Sequence, residues 1–225
     1  MDPGATPFTA KTFAARNNGT DVNFFRPQIE RMDGYTPGEQ PQAGKFIKLN
    51  TNENPYPPSP AVAAAIVRAA ESGLQRYPDP LATAFRLRAG EVLDVDPEWI
   101  LCGNGSDDIL TILTRALVGE GQWLRFPSPS YLLYQTLADL QGAQAEQVAF
   151  SPDWQLTETF YQGRADLRLV LLPNPNSPSG TLIDADAILE LAQRVDCPVL
   201  IDEAYVDFSE RSCLQLVQQD PRIMV

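Results

Sequence analysis

The segment Val199-Leu200-Ile201-Asp202-Glu203-Ala204-Tyr205 constrains the fold of this chain more than any other feature. A short apolar run ends there in a carboxylate, and a tyrosine follows three residues later. Such runs, in a chain that alternates strands with helices, are typical of buried parallel strands. Ligands of parallel sheets bind at the carboxyl ends of strands, so we expect Asp202 at the mouth of a site. Two interpretations remain open: Asp202 caps the next turn or pairs with an arginine, or it is the electrostatic partner of a bound cation.

Strand and helix patterns alternate along the chain after residue 45. Strands are predicted at residues 46–49, 99–102, 123–126, 147–150, 167–172, 199–202 and 222–225. Helices are predicted at residues 59–73, 81–92, from 106 onward, 133–142, 184–195 and 212–219. This alternation predicts an α/β fold with a mostly parallel sheet. Residues 1–45 are rich in Pro, Gly, Asn and Thr without sustained periodicity, so we expect them to form an arm.

The composition excludes several classes of function. The 225 residues carry a formal net charge of −12, which argues against a surface for nucleic acid or anionic membranes, because phosphate binding needs clustered Lys and Arg. No apolar run approaches the ~20 residues of a membrane span. The absence of histidine excludes Ser-His-Asp catalysis, Cys-His catalysis and His-ligated zinc. The three cysteines form no CxxC pair, so we predict reduced thiols in the cytoplasm and no metal site.

A glycine-containing turn, Gly103-Asn104-Gly105, directly precedes a predicted helix that begins at Ser106 and Asp107. Free N–H groups and the helix dipole favour an anion at such a position, while the alternative is a helix simply capped by Ser106. A dinucleotide fingerprint fails because its third glycine is missing and no acidic residue ends the next strand. A Walker loop lacks its lysine. The turn therefore predicts a monophosphate site or no site.

Two further strand ends carry polar or aromatic groups. Tyr131 follows a proline-containing turn and projects over the same edge of the sheet, unless it is a core aromatic. The loop that contains Asn176 and Ser177 offers amide and hydroxyl groups, unless it is an ordinary proline-rich turn. Taken with the glycine turn and Asp202, these groups describe a site for a phosphorylated aromatic ring that carries a basic nitrogen.

Several motifs together resemble one protein family. They are Lys48-Leu49-Asn50-Thr51-Asn52-Glu53-Asn54-Pro55, Arg76-Tyr77-Pro78-Asp79, Gly103-Asn104-Gly105-Ser106-Asp107, Asn174-Pro175-Asn176-Ser177-Pro178-Ser179-Gly180 and Asp202-Glu203-Ala204-Tyr205. In order and spacing, over residues 35–225, the chain resembles fold-type-I pyridoxal-phosphate aminotransferases, most closely the histidinol-phosphate aminotransferases. The resemblance implies a three-layer α/β/α large domain with a mostly parallel sheet. Residues 1–45 would be the arm and 46–225 an incomplete N-terminal portion of that domain, with the C-terminal small domain absent.

The resemblance also implies a role for individual residues around pyridoxal 5'-phosphate. The amides of Ser106 and Asp107 would hold the phosphate, and Tyr131 would stack on the ring. Asp202 would pair with the ring nitrogen and Tyr205 would bond the phenolic oxygen, and these two are the implied catalytic residues.

Further roles extend beyond one copy of the chain and to the substrate. Tyr77 would reach the cofactor phosphate of a neighbouring subunit, which implies a homodimer. Tyr35 and Asn54 would contact the phosphorylated substrate. The implied reaction moves an amino group between glutamate and imidazole-acetol phosphate, in histidine biosynthesis.

The sequence departs from the family pattern at two places. Ser177 stands where many relatives have asparagine, so Asn176 is expected to serve in its place beside the ring. The Schiff-base lysine of the family is expected shortly after residues 222–225, yet the only lysines are Lys11, Lys45 and Lys48. The missing lysine leaves open a catalytically inactive fragment of this family. A related threonine-phosphate decarboxylase also remains open, because it shares these motifs.

Overall fold

A computed structural model describes residues 24–32, 47 and 52–225 of the chain. They fall into two compact units, here called the sheet unit (residues 24–32 and Gly103–Val225) and the helical unit (the described part of Asp33–Cys102). The helices are α1 (Pro27–Glu30), α2 (Pro60–Glu71), α3 (Thr83–Leu93), α4 (Ser106–Leu117), α5 (Leu133–Gln141) and α6 (Ala185–Val195). The strands are β1 (Trp123–Ser128), β2 (Gln144–Ala149), β3 (Leu167–Pro173), β4 (Val199–Asp202) and β5 (Ile223–Met224). Short 3-10 segments lie at Pro97–Trp99, Glu158–Tyr161, Val206–Phe208 and Leu214–Gln218.

The strands of the sheet unit form one sheet in the order β2-β1-β3-β4-β5. Every pairing between neighbours in this sheet is parallel, as the alternation of strands and helices predicts. The register pairs Pro173 with Asp202, so the carboxyl ends of β3 and β4 lie side by side. Ser128 at the end of β1 pairs with Ala149 at the end of β2. The chain segments that follow the strands therefore leave the same edge of the sheet.

Both faces of this sheet are covered by helices, which confirms the predicted three-layer arrangement. Alternate residues of a strand point to opposite faces. Leu169 and Leu171 of β3 share one core with apolar residues of α4 and α5, namely Leu110, Tyr134, Leu137 and Ala138. Val170 and Leu172 share the other core with α6, through Ile188, Leu191, Ala192 and Val195. At about 25 cal/mol per Å² of buried apolar surface, these two cores are the main stabilising contribution of the unit.

The helical unit contains α2, α3 and the 3-10 segment after α3. Ser59 caps α2 by accepting the N–H of Ala61 at 3.3 Å. Asp79 accepts the N–H groups of Leu81 at 3.0 Å and Thr83 at 2.7 Å, so α3 starts at Thr83 and not at residue 81 as the apolar pattern predicts.

Arg86 fastens α3 to the turn that follows it. The Arg86 Nε donates to the Pro97 carbonyl at 2.9 Å, and its Nη2 lies 3.0 Å from Glu98 Oε1. A Cβ atom on Gly90 would come within 2.7 Å of the Val95 carbonyl oxygen, so glycine permits this close packing.

One strand prediction is wrong. Residues 99–102 form no strand: Pro97–Trp99 is a 3-10 segment, and the backbone after it joins no sheet in the part of the chain that the structure describes. Trp99 and Leu101 are exposed by 62% and 56%. An apolar run becomes a strand only where a neighbouring strand pairs its N–H and C=O groups.

The other element predictions differ from the structure mainly at their ends. The predicted helix at 212–219 is only the 3-10 segment Leu214–Gln218, and β2 starts at Gln144, earlier than predicted. The predicted strand at 46–49 falls outside the described residues except for residue 47, and so does the predicted arm except for residues 24–32. Within residues 24–32, Arg26 Nη2 donates to the Leu140 carbonyl at 2.7 Å, which ties this segment to α5.

Among residues 24–32, 47 and 52–225, no helix combines the length and the apolar character needed to cross a membrane.

Candidate functional site

A cavity at the carboxyl edge of the sheet brings together most of the site residues that the sequence predicts. It lies within the sheet unit and is lined by Ser106, Asp107, Tyr131, Pro173, Pro175, Ser177, Asp202, Ala204 and Tyr205. These residues come from the N-terminus of α4 and from the segments after β1, β3 and β4. Parallel strands deliver them to one place although they lie far apart in the sequence.

The N-terminus of α4 begins at an unusual backbone conformation. Gly105 is the N-cap residue, with φ +85° and ψ 174°, and no side chain caps it. Side chains other than hydrogen are rarely tolerated at this φ. A Cβ there would meet nothing within 4 Å, so the backbone conformation and not space requires glycine. Ser106 is the first helical residue, so the interpretation of Ser106 as the N-cap is wrong.

Asp107 and Asp108, the two acidic residues in the first turn of α4, do not accept hydrogen bonds from the backbone N–H groups at the start of that helix in the described part of the chain. Asp108 Oδ2 accepts the N–H of Asn104 at 3.0 Å. The Asp107 carboxylate accepts the Tyr131 hydroxyl, at 3.1 Å through Oδ1 and 3.3 Å through Oδ2. The N-terminus therefore keeps its positive dipole end without a capping oxygen in the described part of the chain.

Asp202 stands at the end of β4 with both carboxylate oxygens engaged. Its Oδ2 accepts the hydroxyl of Tyr134 at 2.7 Å, and its Oδ1 accepts the N–H of Ala204 at 3.1 Å. In the part of the chain that is described, Asp202 forms no ion pair with arginine or lysine. The carboxylate does cap the next turn, and it also lines the cavity, so the two sequence-based interpretations of Asp202 are compatible.

Tyr134 holds a cavity residue, Asp202, and the sequence did not predict this contact. It is fully buried on α5, where it counts among the apolar positions of that helix. Burial, and then the Asp202 carboxylate, raise the pKa of its hydroxyl well above the usual range. Its place three residues after Tyr131 in the sequence does not reveal a partner 68 residues away.

Tyr131 forms one wall of the cavity. Its ring is 39% exposed, so the interpretation as a core aromatic is wrong. The ring meets that of Tyr134 edge to face, with centroids 5.7 Å apart and planes at 87°. Burial first, and then the carboxylate of Asp107, raise the pKa of the Tyr131 hydroxyl to about 12.

In the loop after β3, Ser177 lines the cavity and Asn176 does not. Asn176 is only 2% exposed, and its Nδ2 donates to the Pro129 carbonyl at 3.3 Å and to Ser179 Oγ at 2.8 Å. Its Oδ1 is buried and accepts no hydrogen bond from the described residues. The expectation that Asn176 replaces Ser177 beside the ring is therefore not supported by this geometry: Asn176 holds the loop, and Ser177 faces the site.

The remaining predicted site residues lie in the helical unit or outside the described residues. Tyr77 is fully exposed. Asn54 is exposed, and its Oδ1 accepts the N–H of Tyr56 at 3.0 Å. Tyr35 lies outside the described residues. Their roles stay predictions.

Curated relatives match most of this chain. A histidinol-phosphate aminotransferase of Rhodopirellula baltica (strain DSM 10527 / NCIMB 13988 / SH1) is 58% identical over 202 residues, which are 89% of this chain and 56% of that protein. Histidinol-phosphate aminotransferase 1 of Trichormus variabilis (strain ATCC 29413 / PCC 7937) is 43% identical over 205 residues, covering 91% of this chain and 58% of the relative. The chain thus spans a little over half the length of these curated relatives.

A solved structure and a family model agree with the architecture. The crystal structure of histidinol-phosphate aminotransferase from Sinorhizobium meliloti in complex with pyridoxal-5'-phosphate matches with a TM-score of 0.67 at 23% identity, over 77% of this chain and 49% of that one. At this identity the match shows a shared fold. The model for aminotransferase class I and II matches residues 44–225. The chain therefore belongs to the aminotransferase class I and II family.

Proposed function

We propose that this chain forms the cofactor-binding part of a histidinol-phosphate aminotransferase. The reaction would move an amino group between glutamate and imidazole-acetol phosphate, with pyridoxal 5'-phosphate as cofactor, in the histidine biosynthesis of the cytoplasm. The supporting observation is the cavity that unites Ser106, Asp107, Tyr131, Asp202 and Tyr205. The two relatives at 58% and 43% identity carry the same activity in their names.

The residues of the cavity fit a phosphorylated pyridine ring. The uncapped N-terminus of α4 offers free amides and the positive end of a helix dipole, which favour an anion by up to about 2 kcal/mol when partly buried. Ser106 and Asp107 would supply those amides. When bound, pyridoxal phosphate supplies an electron-withdrawing ring that stabilises negative charge on the substrate carbon.

Asp202 would hold the proton on the ring nitrogen. A carboxylate beside a pyridine nitrogen favours its cationic form, and a tenfold change in that protonation equilibrium corresponds to about 1.4 kcal/mol. The bonds from Tyr134 and from the Ala204 N–H fix the direction of this carboxylate before any ligand arrives. Such pre-orientation reduces the entropy that binding must remove.

The other groups of the site would orient the ring and limit its contact with water. Tyr131 would stack on one face of the ring, and Tyr205 would donate to the phenolic oxygen. Ser177, the residue after Asn176, lines the cavity. Its hydroxyl is therefore a better candidate than Asn176 for a polar contact with the ring.

We also propose a homodimer and a phosphorylated substrate. The complete exposure of Tyr77 suits a residue that reaches the cofactor phosphate of a second copy. Exposed apolar side chains such as Ile66, Val67 and Phe85 suit a surface that another subunit covers. Tyr35 and Asn54 would contact the substrate.

Titration of the 225-residue chain with pyridoxal phosphate, followed by the change in cofactor absorbance, tests the site. We expect Asp202→Asn to weaken binding about tenfold or more, because a charge-assisted hydrogen bond is lost. The matched control is Asp207→Asn, which removes an exposed carboxylate five residues later. Equal affinities for the wild type and the Asp202 variant would overturn the assignment of Asp202.

A chimera tests the reaction. The 225 residues would replace the matching part of the Rhodopirellula baltica relative, and glutamate formation from histidinol phosphate and 2-oxoglutarate would be measured. Release of CO2 from threonine phosphate would instead favour the decarboxylase, and no turnover of either substrate would favour the inactive fragment. For the 225 residues alone we expect neither turnover nor a borohydride-fixed cofactor beyond Lys48, because no lysine follows it.

A further inference from the structure

The hydrogen bond between Asp107 and Tyr131 joins two elements at the cavity. Asp107 lies in the first turn of α4, and Tyr131 lies in the segment between β1 and α5. The Tyr131 hydroxyl is within 3.1 Å of Oδ1 and 3.3 Å of Oδ2, so the carboxylate faces the hydroxyl with both oxygens. Both residues line the cavity.

The Tyr131 side chain is only partly enclosed by protein. The side chain is 39% exposed, and its one ring neighbour in the described part of the chain is Tyr134, which touches it edge to face at 5.7 Å. That contact is one fixed point for the orientation of the ring. The bond to Asp107 supplies the second fixed point, so two contacts together define the plane of the ring.

The orientation of Asp107 also affects the anion end of the cavity. An ionised carboxylate at the start of a helix is normally attracted to the leading amides, where it would compete with a bound phosphate. The Tyr131 hydroxyl holds the Asp107 carboxylate by a charge-assisted bond instead. Among the described residues, the charged and titratable groups around Tyr131 are Asp107, Asp202, Tyr134 and Tyr205, and none of these four is a cation.

We propose that Asp107 is a positioning residue that sets the orientation of the Tyr131 ring through its side chain. This role is additional to the contact of its backbone amide with phosphate. It rests on the proposed function only for the identity of the ring that Tyr131 meets. The bond between Asp107 and Tyr131 can be tested in the chain without cofactor.

The first experiment measures near-UV circular dichroism of the ligand-free chain. The difference between the wild type and Tyr131→Phe isolates the signal that depends on the hydroxyl. We expect Asp107→Ala to lose most of the ordered Tyr131 signal, and Asp107→Asn, which keeps an acceptor, to retain it. The control is Asp186→Ala, which removes an exposed acid from the first turn of α6. An unchanged spectrum in Asp107→Ala would overturn the proposal.

The second experiment compares two probes, pyridoxal phosphate and inorganic phosphate. Asp107→Ala removes a negative charge beside the anion, so we expect it to bind inorganic phosphate as tightly as the wild type or more tightly. It should bind pyridoxal phosphate about tenfold more weakly, because the ring loses an ordered wall. A parallel change for both probes would indicate a merely electrostatic or structural role and would overturn the proposal.

A double-mutant cycle completes the test. If the Asp107 side chain acts through Tyr131, the variant Asp107→Ala/Tyr131→Phe should bind pyridoxal phosphate about as tightly as either single variant. Additive losses would show that the two side chains act independently and would overturn the proposal. Failure of the wild type to bind pyridoxal phosphate would count against the proposed function, while the circular dichroism would still report on the bond.

Discussion

The sheet unit and the helical unit differ in what they do with their apolar side chains. In β3, the residues Leu169, Val170 and Leu171 are completely buried. In the helical unit, α2 buries none of its residues, and Ile66 and Phe85 are exposed by 64% and 63%. The sheet unit therefore buries most of its large apolar side chains within one chain. The helical unit leaves large apolar side chains exposed.

One ion pair from each unit shows a similar contrast. Arg125 of β1 is 2% exposed, and it bonds Glu146 at 2.8 Å together with the carbonyls of Phe160 and Gln162. Arg88 and Glu91 on α3 form a pair at 2.7 Å, but both side chains are largely exposed. Water screens the second pair more strongly than the first, whose arginine is buried, so the first pair should contribute more to stability.

The largest effect is expected from Arg125. Its replacement by alanine leaves the Glu146 carboxylate and the Phe160 carbonyl without their buried donor, which should lower the free energy of unfolding by about 3–5 kcal/mol. Arg88→Ala should change it by less than about 0.5 kcal/mol. Urea denaturation of both variants measures the difference. Similar losses of unfolding free energy in the Arg125 and Arg88 variants would show that the two ion pairs do not differ in this way.

The apolar cores should show the next largest effect. Leu171→Ala opens a cavity in a fully buried position and should cost about 3 kcal/mol. Ile66→Ala on α2 should cost less than about 0.5 kcal/mol, since the side chain is mostly exposed. Both values come from denaturation at low protein concentration. A larger cost for Ile66→Ala that grows with concentration would indicate that a second copy covers α2.

Tyrosine hydroxyls offer a finer comparison. Tyr134→Phe removes a buried hydrogen bond to the Asp202 carboxylate and should lower the free energy of unfolding by about 2 kcal/mol. Tyr56→Phe in the helical unit, at a position 79% exposed, should leave it unchanged. The two variants should also differ in cofactor affinity, because Tyr134, unlike Tyr56, donates a hydrogen bond to Asp202. Equal behaviour of the two variants would exclude this role for Tyr134.

The smallest expected effect concerns Asp79 of the helical unit. The hydrogen bonds from Thr83 and then from Leu81 lower the pKa of this carboxyl. Because its folded pKa lies below the unfolded value of about 3.9, its contribution to stability is present above that pH. It is lost as the pH falls through the folded value. Acid titration of the helical circular dichroism should show this loss in the wild type, and Asp79→Asn should lack that component.

Much of the architecture followed from local sequence patterns. Apolar runs predicted β1, β3 and β4, and helical periodicity predicted α4 and α6, because burial on a strand or a helix repeats with a fixed period. Trp99 to Cys102 has the same apolar character and forms no strand, since pairing depends on a neighbour that the pattern does not contain. Helix ends were less predictable where a side chain such as Asp79 decided them.

Site residues at strand ends were predictable for a related reason. Parallel strands bring their carboxyl ends together, so Ser106, Tyr131, Asp202 and Tyr205 could be assigned to one edge of the sheet from the sequence and the family resemblance. The sequence thus predicted these lining residues, but it placed Asn176 at the cavity where the structure places Ser177.

Only the tertiary structure decided what the side chains around that cavity bond to. Packing between α5 and β4 brings Tyr134 to Asp202 across 68 residues, and the loop geometry turns Asn176 inward and leaves Ser177 at the cavity. Asp202, the residue at the end of the most informative apolar run, both caps the next turn and lines the cavity. Hydrogen bonds of this kind depend on distances between elements, and no periodicity within one element encodes those distances.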